Sequence, residues 1–168
     1  MHRILFVCHG NICRSTMAQS VMADLVHRAG REAEFAIDSA AATREALGCT
    51  PHHGTVAELG RHGVPVVPHR ARQIRADEYA DWDLIIGMDD ENMHDLERIL
   101  RRSPTWRLDS GARVRKLLSF VGDGALDPAP RDRVGRVRDV ADPWYTGDFG
   151  ATYRDVLAGC EALLAWLS

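Results

Sequence analysis

The chain has 168 residues, of which 45% are hydrophobic, and this suffices for one domain with a full hydrophobic core. Its formal net charge of −3 argues against a protein that binds nucleic acid through a basic surface. No apolar segment approaches the roughly 20 residues that a membrane-spanning helix needs, and no signal-peptide segment of the usual length is present. We therefore expect a cytoplasmic monomer, a single domain over residues 1–168, with neither a membrane nor a nucleic-acid partner.

Apolar segments typical of strands alternate with segments typical of helices along the chain. This alternation predicts an α/β fold with three layers, in which helices cover both faces of a central, mostly four-stranded parallel sheet. Strands are predicted near residues 2–7, 34–38, 83–87 and 113–117, and helices near residues 16–29, 52–62, 89–101 and 147–166. In such folds ligands bind beyond the carboxyl ends of the strands.

The segment that follows the first predicted strand has the features of an oxyanion-binding loop. Cys8 and Arg14 enclose five residues, and a helix is predicted to begin directly afterwards. Backbone N–H groups of such a loop can surround a tetrahedral anion, with the positive end of the helix dipole behind them. The same dipole and a guanidinium favour the thiolate form of cysteine, which is the nucleophile, while arginine offers a planar fork to two phosphate oxygens. The pattern predicts Cys8 as nucleophile and Arg14 as the phosphate ligand.

Three small or polar residues of this loop have predicted structural roles. Gly10 permits backbone torsions that a Cβ atom would forbid, and Asn11 tolerates a left-handed conformation. Ser15 can donate a hydrogen bond to the sulfur of Cys8 or cap the helix, and we expect mainly the first role. The predicted phosphate-binding loop comprises Cys8, His9, Gly10, Asn11, Ile12, Cys13, Arg14 and Ser15.

A general acid has to come from outside the loop, because the loop contains no carboxylate. Two Asp-Pro pairs are candidates. Asp127-Pro128 lies among glycine, alanine and proline, as in an ordinary surface turn. Asp142-Pro143 is followed by two aromatic residues that can line a slot for a ring, so we predict Asp142 as the acid.

The segment from Val7 to Ser15 resembles the signature loop of the low-molecular-weight protein tyrosine phosphatases. Further matches follow in the family's order at residues 38–41, 71–74, 82–83 with 88–92, and 142–145. The resemblance implies a flavodoxin-like fold and hydrolysis of phosphotyrosine in proteins or peptides, with inorganic phosphate and other oxyanions as ligands. It also implies a phosphocysteine on Cys8, phosphate held by Arg14, and Asp142 as general acid and base.

Other site residues are assigned by the same resemblance. It implies that Asn11, Ser15, Ser39 and His69 support the loop. It also implies that Glu45 stands where many family members have an aromatic residue that stacks on the substrate ring. The pocket walls would be His9, Ile12, Glu45, Trp144 and Tyr145.

No cofactor and no metal are expected. Cys49, His52 and His53 have a spacing that a metal site could use, but we interpret Thr50-Pro51 as the cap and first residue of a helix. The acidic residues 89–91 are interpreted as the start of a helix, where carboxylates favour the dipole. Cys13 lies five residues from Cys8, so we expect it to act as a redox partner that forms a disulfide with oxidised Cys8.

Several alternatives stay open at this point. An arsenate reductase can share the loop and fold, but it needs further cysteines, and the sequence has none between Cys49 and Cys160. A protein-arginine phosphatase is a second alternative, although isoleucine at position 12 resembles the tyrosine-directed form. A non-catalytic oxyanion-binding module is the third. The arginine-rich segment 131–138 is interpreted as a solvated loop, with substrate docking as the other possibility.

Overall fold

The computed structural model describes residues 1–122 and 137–168, and a parallel β-sheet forms the centre of the fold. The sheet has four strands in the order β2-β1-β3-β4, and every neighbouring pair is parallel. This confirms the predicted fold class. The strands are β1 (His2–Cys8), β2 (Phe35–Ala41), β3 (Leu84–Gly87) and β4 (Val114–Lys116).

The helices of the described ranges include all four that the sequence predicts, with ends that differ by one or two residues. Two short helices, α4 and α5, were not predicted because they are too short to show an apolar repeat. The helices are α1 (Arg14–Arg28), α2 (His53–Arg61), α3 (Asp90–Leu100), α4 (Pro104–Asp109), α5 (Pro143–Thr146) and α6 (Phe149–Trp166). Single 3₁₀ turns cover residues 32–34, 76–81 and 117–120.

Strand β2 continues three residues beyond its predicted end at residue 38. Its last residues, Ser39, Ala40 and Ala41, pair with Phe6, Val7 and Cys8 of β1. Small residues have weak strand propensity, so the predicted strand ends near residue 38. The tertiary structure favours them instead, because all three are buried directly beside the Cys8 loop.

The hydrophobic core is divided by the sheet into two parts, as the alternation of side chains along β1 requires. Ile4 and Phe6 point to the face covered by α1, α2 and α6. Leu5 and Val7 point to the opposite face, covered by α3 and α4. The strands therefore consist of nearly continuous apolar runs, as expected for a sheet that is buried on both faces.

The order of the strands determines where the chemistry-bearing loops meet. β1 lies between β2 and β3, and the connections from β1 and β3 leave from the same edge of the sheet. Cys8 ends β1, and Asp89 is the second residue after β3. This is the topological switch point of an open α/β sheet, where ligands bind.

Two segments interpreted from the sequence lie outside the described ranges. They are Asp127-Pro128, the candidate acid that was not chosen, and residues 131–136 of the arginine-rich segment. Within the described ranges, no helix combines the length and the apolar character that crossing a membrane requires.

Candidate active site

Cys8 and Ser15 lie side by side at the base of the loop. The Cys8 side chain is buried, and its Sγ atom is 3.1 Å from Oγ of Ser15. Helix α1 begins at Arg14, two residues earlier than predicted, with Cys13 at its N-cap position and no side-chain cap. The Ser15 hydroxyl thus contacts the sulfur of Cys8 and does not cap the helix, and either atom can donate in this contact.

Asn11 is the centre of a buried hydrogen-bond network under the loop. Its backbone is left-handed, with φ of 58°, and its side chain is fully buried. Nδ2 of Asn11 donates to Oγ of Ser15 and to Oγ of Ser39, both at 2.9 Å. Oδ1 accepts from the backbone N–H of Arg72 at 3.2 Å and lies 2.7 Å from Nε2 of His69. The structure therefore brings together all four residues predicted to support the loop.

The Arg72 amide determines the protonation pattern of this network. A backbone N–H can only donate, so the Asn11 atom that faces it is the oxygen, and Nε2 of His69 must donate to the same oxygen. Burial lowers the pKa of His69. The negative charge of Asp38 raises this pKa and the positive charge of Arg72 lowers it, and the net effect is a lowered pKa. The uncharged imidazole is therefore the form that the folded protein favours.

Gln19 extends the network and was not predicted. Oγ of Ser39 donates to Oε1 of Gln19 at 2.6 Å, and this side chain is almost completely buried in α1. Gln19 lies four residues after Ser15, on the same face of the helix. A glutamine on the buried face of a helix is the signal that could have identified it, because buried polar groups are normally hydrogen-bonded.

Carbonyl groups of the loop accept hydrogen bonds from neighbouring elements, whereas its backbone N–H groups make no such bonds in the described part of the chain. The carbonyl of Ile12 accepts from the N–H of His52 at 2.7 Å, and that of Cys13 accepts from Oγ1 of Thr55 at 3.1 Å. In the described part of the chain, no partner accepts from the backbone N–H groups of residues 9–13. Donors that converge in a short loop at a helix N-terminus form an anion-binding concavity.

Arg14 lies between two carboxylates. Its side chain is 3% exposed, with Nη1 donating to Oδ2 of Asp89 at 2.6 Å and Nη2 lying 3.2 Å from Oδ2 of Asp142. Burial alone would lower the pKa of Arg14, but Cys8, Asp89 and Asp142 outweigh it, so its pKa lies above the ordinary value. The guanidinium is thus a permanent charge of fixed orientation beside the thiol loop.

Asp89 is the site residue that the sequence interpretation missed. It does cap α3, as expected for a helix start, because its Oδ1 accepts from the N–H of Asn92 at 2.7 Å. The interpretation as a cap alone is incomplete, since its other oxygen binds Arg14. The position of Asp89 at the carboxyl end of the strand beside β1 is the signal that could have revealed it.

Asp142 begins the short helix α5. Its Oδ1 accepts from the N–H of Trp144 at 3.1 Å, and Pro143 is the first helical residue. The other oxygen of the carboxylate points to Arg14, as described above. Trp144 and Tyr145 are 69% and 84% exposed, so their rings stand free beside the acid.

Exposed charged groups surround His9 at the rim of the loop. Its Nε2 is 2.8 Å from Oε2 of Glu45, which places Glu45 beside the loop, and its Nδ1 is 3.9 Å from Oε1 of Glu91. His9, Glu91 and Asp95 hold possible metal-ligand atoms within 4.8 Å of one another, among the described residues. Asp95 is already paired with Arg98 at 3.0 Å, so the arrangement has an explanation without an ion.

The predicted cap of α2 is wrong. The N-cap residue is His52, whose Nδ1 accepts from the N–H of Gly54 at 3.0 Å, and Thr50-Pro51 precedes the helix. The ring of His52 stacks on His53. The absence of a metal from Cys49, His52 and His53 stays a prediction.

Comparisons with known proteins agree with this geometry. The sequence model of the family described as low molecular weight phosphotyrosine protein phosphatase matches residues 3–168. The low molecular weight protein-tyrosine-phosphatase YfkJ of Bacillus subtilis is 36% identical over 98% of this chain and 95% of its own. The human low molecular weight phosphotyrosine protein phosphatase is 32% identical over 96% of this chain and 92% of its own.

Solved structures show the same similarity in three dimensions. The crystal structure of YfkJ superposes with a TM-score of 0.83 at 35% identity, over 99% of this chain and 94% of that one. The Drosophila arginine phosphatase superposes with a TM-score of 0.78 at 27% identity, over 98% and 97% of the chains. The resemblance of the loop and of the later motifs is thereby confirmed: the chain belongs to the low molecular weight phosphotyrosine protein phosphatase family and is an enzyme of the protein-tyrosine-phosphatase class.

Proposed function

We propose that the protein hydrolyses phosphotyrosine in proteins or peptides through a phosphocysteine on Cys8. One observation carries the proposal: a single loop holds the buried thiol of Cys8 at one end and Arg14 at the other, and Nη2 of Arg14 is 3.2 Å from the Asp142 carboxylate. Nucleophile, phosphate ligand and acid are thus supplied by three side chains in contact range of one bound phosphate.

In the first step, the Cys8 thiolate attacks phosphorus, the P–S bond forms, and the bond to the tyrosine oxygen breaks. Asp142 donates a proton to that oxygen as it leaves. Arg14 and the N–H groups of residues 9–13 stabilise the charge on the three equatorial oxygens, a task for which many phosphoryl-transfer enzymes use magnesium. Ser15 stabilises the thiolate, because its hydroxyl is 3.1 Å from Sγ.

In the second step, water attacks the phosphorus of the phosphocysteine. Asp142, now a carboxylate, accepts a proton from this water. The P–S bond breaks, inorganic phosphate leaves, and Cys8 returns as thiolate with its hydrogen bond from Ser15 restored. Asn11 supports both steps indirectly, since it holds the Ser15 hydroxyl and the turn of the loop in position.

The walls proposed for the substrate ring are Ile12 and the exposed aromatic residues beside Asp142. His9 and Glu45 complete the rim on the side of the loop, with a carboxylate in place of the ring found in many relatives. Isoleucine at position 12 supports a tyrosine-directed site, as its resemblance to that form implies.

Phosphoarginine is a second candidate substrate. The similarity to the Drosophila arginine phosphatase supports it, and so do the exposed carboxylates of Glu45 and Glu91 beside His9, because a guanidinium group favours negative surroundings. The arsenate reductase alternative has weaker support, since the relay cysteines are missing from the sequence between Cys49 and Cys160.

The test is hydrolysis of matched phosphotyrosine and phosphoarginine peptides, with and without a chelator. We expect a higher kcat/KM for phosphotyrosine, no effect of the chelator, and a phosphocysteine that is trapped by rapid quenching. Cys8→Ser should abolish turnover while retaining phosphate binding, because serine keeps the shape of the loop without a stable anion. Preference for phosphoarginine would establish the second candidate, and turnover by Cys8→Ser would refute the mechanism.

A further inference from the structure

Lys116 joins two segments that flank the active site. It is the only lysine in the sequence, and it is 4% exposed at the end of β4. Its Nζ donates to Oδ1 of Asp90 at 2.7 Å and lies 2.6 Å from Oδ1 of Asp139. The third contact of Nζ is a hydrogen bond to the carbonyl oxygen of Val137. A buried amine with three oxygen partners uses its complete donor capacity.

Both carboxylate partners of Lys116 lie close in the sequence to residues that contact Arg14. Asp90 follows Asp89 directly, and Asp139 lies three residues before Asp142. A further hydrogen bond joins the same two segments, since the backbone N–H of Asp90 donates to the side-chain Oδ1 of Asp139 at 3.2 Å. The two segments that carry the carboxylates in contact with Arg14 are therefore joined at a junction to which Lys116 supplies a buried positive charge.

A second ion pair holds the acid-bearing segment from the side of α6. Arg138 contacts both carboxylate oxygens of Asp155, at 2.9 and 2.7 Å, and the N–H of Ala141 donates to the same carboxylate at 2.9 Å. Burial opposes ionisation of Asp155, but these hydrogen bonds outweigh it and hold its pKa below the usual range. Arg138 and Asp155 tie residues 138–141 to α6, whereas Lys116 ties residues 137–139 to α3.

We propose that Lys116 is a positioning residue for the general acid. It holds the segment before Asp142 against the start of α3, so that the Asp142 carboxylate lies beside Arg14 and the departing oxygen. Without the amine, the contacts of Nζ that join Val137 and Asp139 to Asp90 are lost, and the segment is held less closely against α3. This inference rests on the proposed role of Asp142 as the acid.

The test is the dependence of kcat/KM on the leaving group in Lys116→Met, whose side chain has similar length and no charge. General acid catalysis typically contributes about 10²–10⁴-fold, so we expect partial misplacement to lower kcat/KM about tenfold for phenyl phosphate. Dinitrophenyl phosphate needs no proton on its leaving oxygen, and its kcat/KM should change less than about twofold on the same argument. A merely structural role would lower both values equally, because fewer molecules would be folded.

Three further variants make the outcome decisive. Asp142→Asn must show the same selective loss, more strongly; if it does not, the role of Asp142 fails and not only that of Lys116. Asp139→Asn, at an exposed position, removes one partner without burying an unpaired group, so it should show a weaker selective loss even if Lys116→Met does not fold. Arg3→Met removes the Arg3–Asp83 pair at the opposite end of β1 and should leave the leaving-group dependence unchanged. Selective loss in Asp142→Asn without any in Lys116→Met or Asp139→Asn would overturn the inference.

Discussion

Asp89, which is partly buried, forms an ion pair with the buried Arg14, with 2.6 Å between Oδ2 of Asp89 and Nη1 of Arg14. The pair holds the guanidinium in one orientation, so that the energetic cost of ordering this long side chain is met when the protein folds and not when phosphate binds. Preorganisation of this kind strengthens ligand binding without a new contact to the ligand.

Asp89→Asn should therefore weaken phosphate binding and catalysis. Asparagine retains an oxygen that can cap α3, but it lacks the charge that Arg14 requires. Hydrogen bonds to charged groups contribute about 1.5–3 kcal/mol, which corresponds to about 10–100-fold in kcat/KM or in the inhibition constant of inorganic phosphate. Steady-state kinetics with phosphate inhibition measure this directly.

The matched control is Asp95→Asn, six residues further along the chain in α3, where the carboxylate contacts Arg98 and not Arg14. Its kinetics should equal those of the parent. If Asp89→Asn shifts only the melting temperature and leaves kcat/KM unchanged, then Asp89 acts as a cap alone.

The network of Asn11 and His69 makes stability depend on pH in the range where histidine titrates. Burial lowers the pKa of His69 in the folded protein, whereas the unfolded chain has a pKa near its ordinary value of about 6.5. Below about pH 6.5 the unfolded state binds a proton that the folded state resists, so the free energy of unfolding falls until the pH reaches the folded pKa. Urea denaturation at a series of pH values between about 7.5 and 5 checks this.

His69→Gln can still donate to Asn11 but cannot titrate. The difference in free energy of unfolding between parent and variant should therefore change across this pH range and be constant above it. Burial lowers the pKa of His52 as well, and that dependence remains in both proteins, so the difference isolates His69. A difference that is constant at all pH values would show that His69 does not titrate differently on folding.

Peroxide should inactivate the enzyme reversibly through a disulfide between Cys8 and Cys13. Burial, together with the charge of Cys8, raises the pKa of Cys13 to about 12, so Cys13 remains a thiol while Cys8 is oxidised first. The sulfenic acid on Cys8 then reacts with the Cys13 thiol, the disulfide forms and water leaves. Mass spectrometry of the oxidised protein should detect the disulfide, and phosphate or vanadate should protect Cys8.

Cys13→Ser should lose activity irreversibly, because the sulfenic acid goes on to the sulfinic acid. Cys49→Ser, which removes the exposed cysteine, should recover with thiol as fully as the parent. Full recovery of Cys13→Ser would reduce Cys13 to a packing residue.

Glu45 should direct the enzyme toward basic peptides. An aromatic residue there would stack on the substrate ring, typically a gain of about 0.5–1.5 kcal/mol, whereas the exposed carboxylate adds negative potential beside His9. We expect Glu45→Trp to bind small aryl phosphates more tightly and to lose the preference for phosphotyrosine peptides with neighbouring Arg or Lys. The change should appear mainly in KM, because the contact lies outside the reacting centre.

The dependence on salt distinguishes an effect of the Glu45 charge from an effect of the shape of the pocket. Added salt should weaken the preference for basic peptides in the parent and in Glu161→Gln, a control on the exposed side of α6, but not in Glu45→Trp. Unchanged peptide selectivity in Glu45→Trp would mean that Glu45 does not contact the substrate.

The fold was predictable because the sequence patterns that indicate its strands and helices are local. Alternating segments identify the four strands and the four long helices, and parallel sheets with crossover helices follow from that order. The prediction failed where the signal is tertiary: Ser39, Ala40 and Ala41 extend β2 because they pair with β1 and are buried. Helices α4 and α5 were not predicted because they are too short to show the apolar repeat of a helix.

The site was predictable only in part, for a related reason. Cys8, Arg14 and Ser15 lie within one segment, and their residue types indicate the chemistry by themselves. Asp89 and Lys116 carry no such local signal, since an acid at a helix start and a lysine after a strand are ordinary. Their relation to Arg14 and to the segment before Asp142 appears only when the strand order places β3 beside β1 and β4 beside β3.

The wide separation of Cys8 and Asp142 along the chain also has a consequence for synthesis. The thiol loop follows the first strand, whereas Asp142 precedes α5 and the last helix, α6, which packs against α1. During translation, the loop emerges long before the acid, and α1 stays without its main covering helix until the end. The nascent chain can thus present the thiol loop without the proposed proton donor, so on the proposed mechanism catalytic competence requires that almost all of the chain has left the ribosome and folded as one unit.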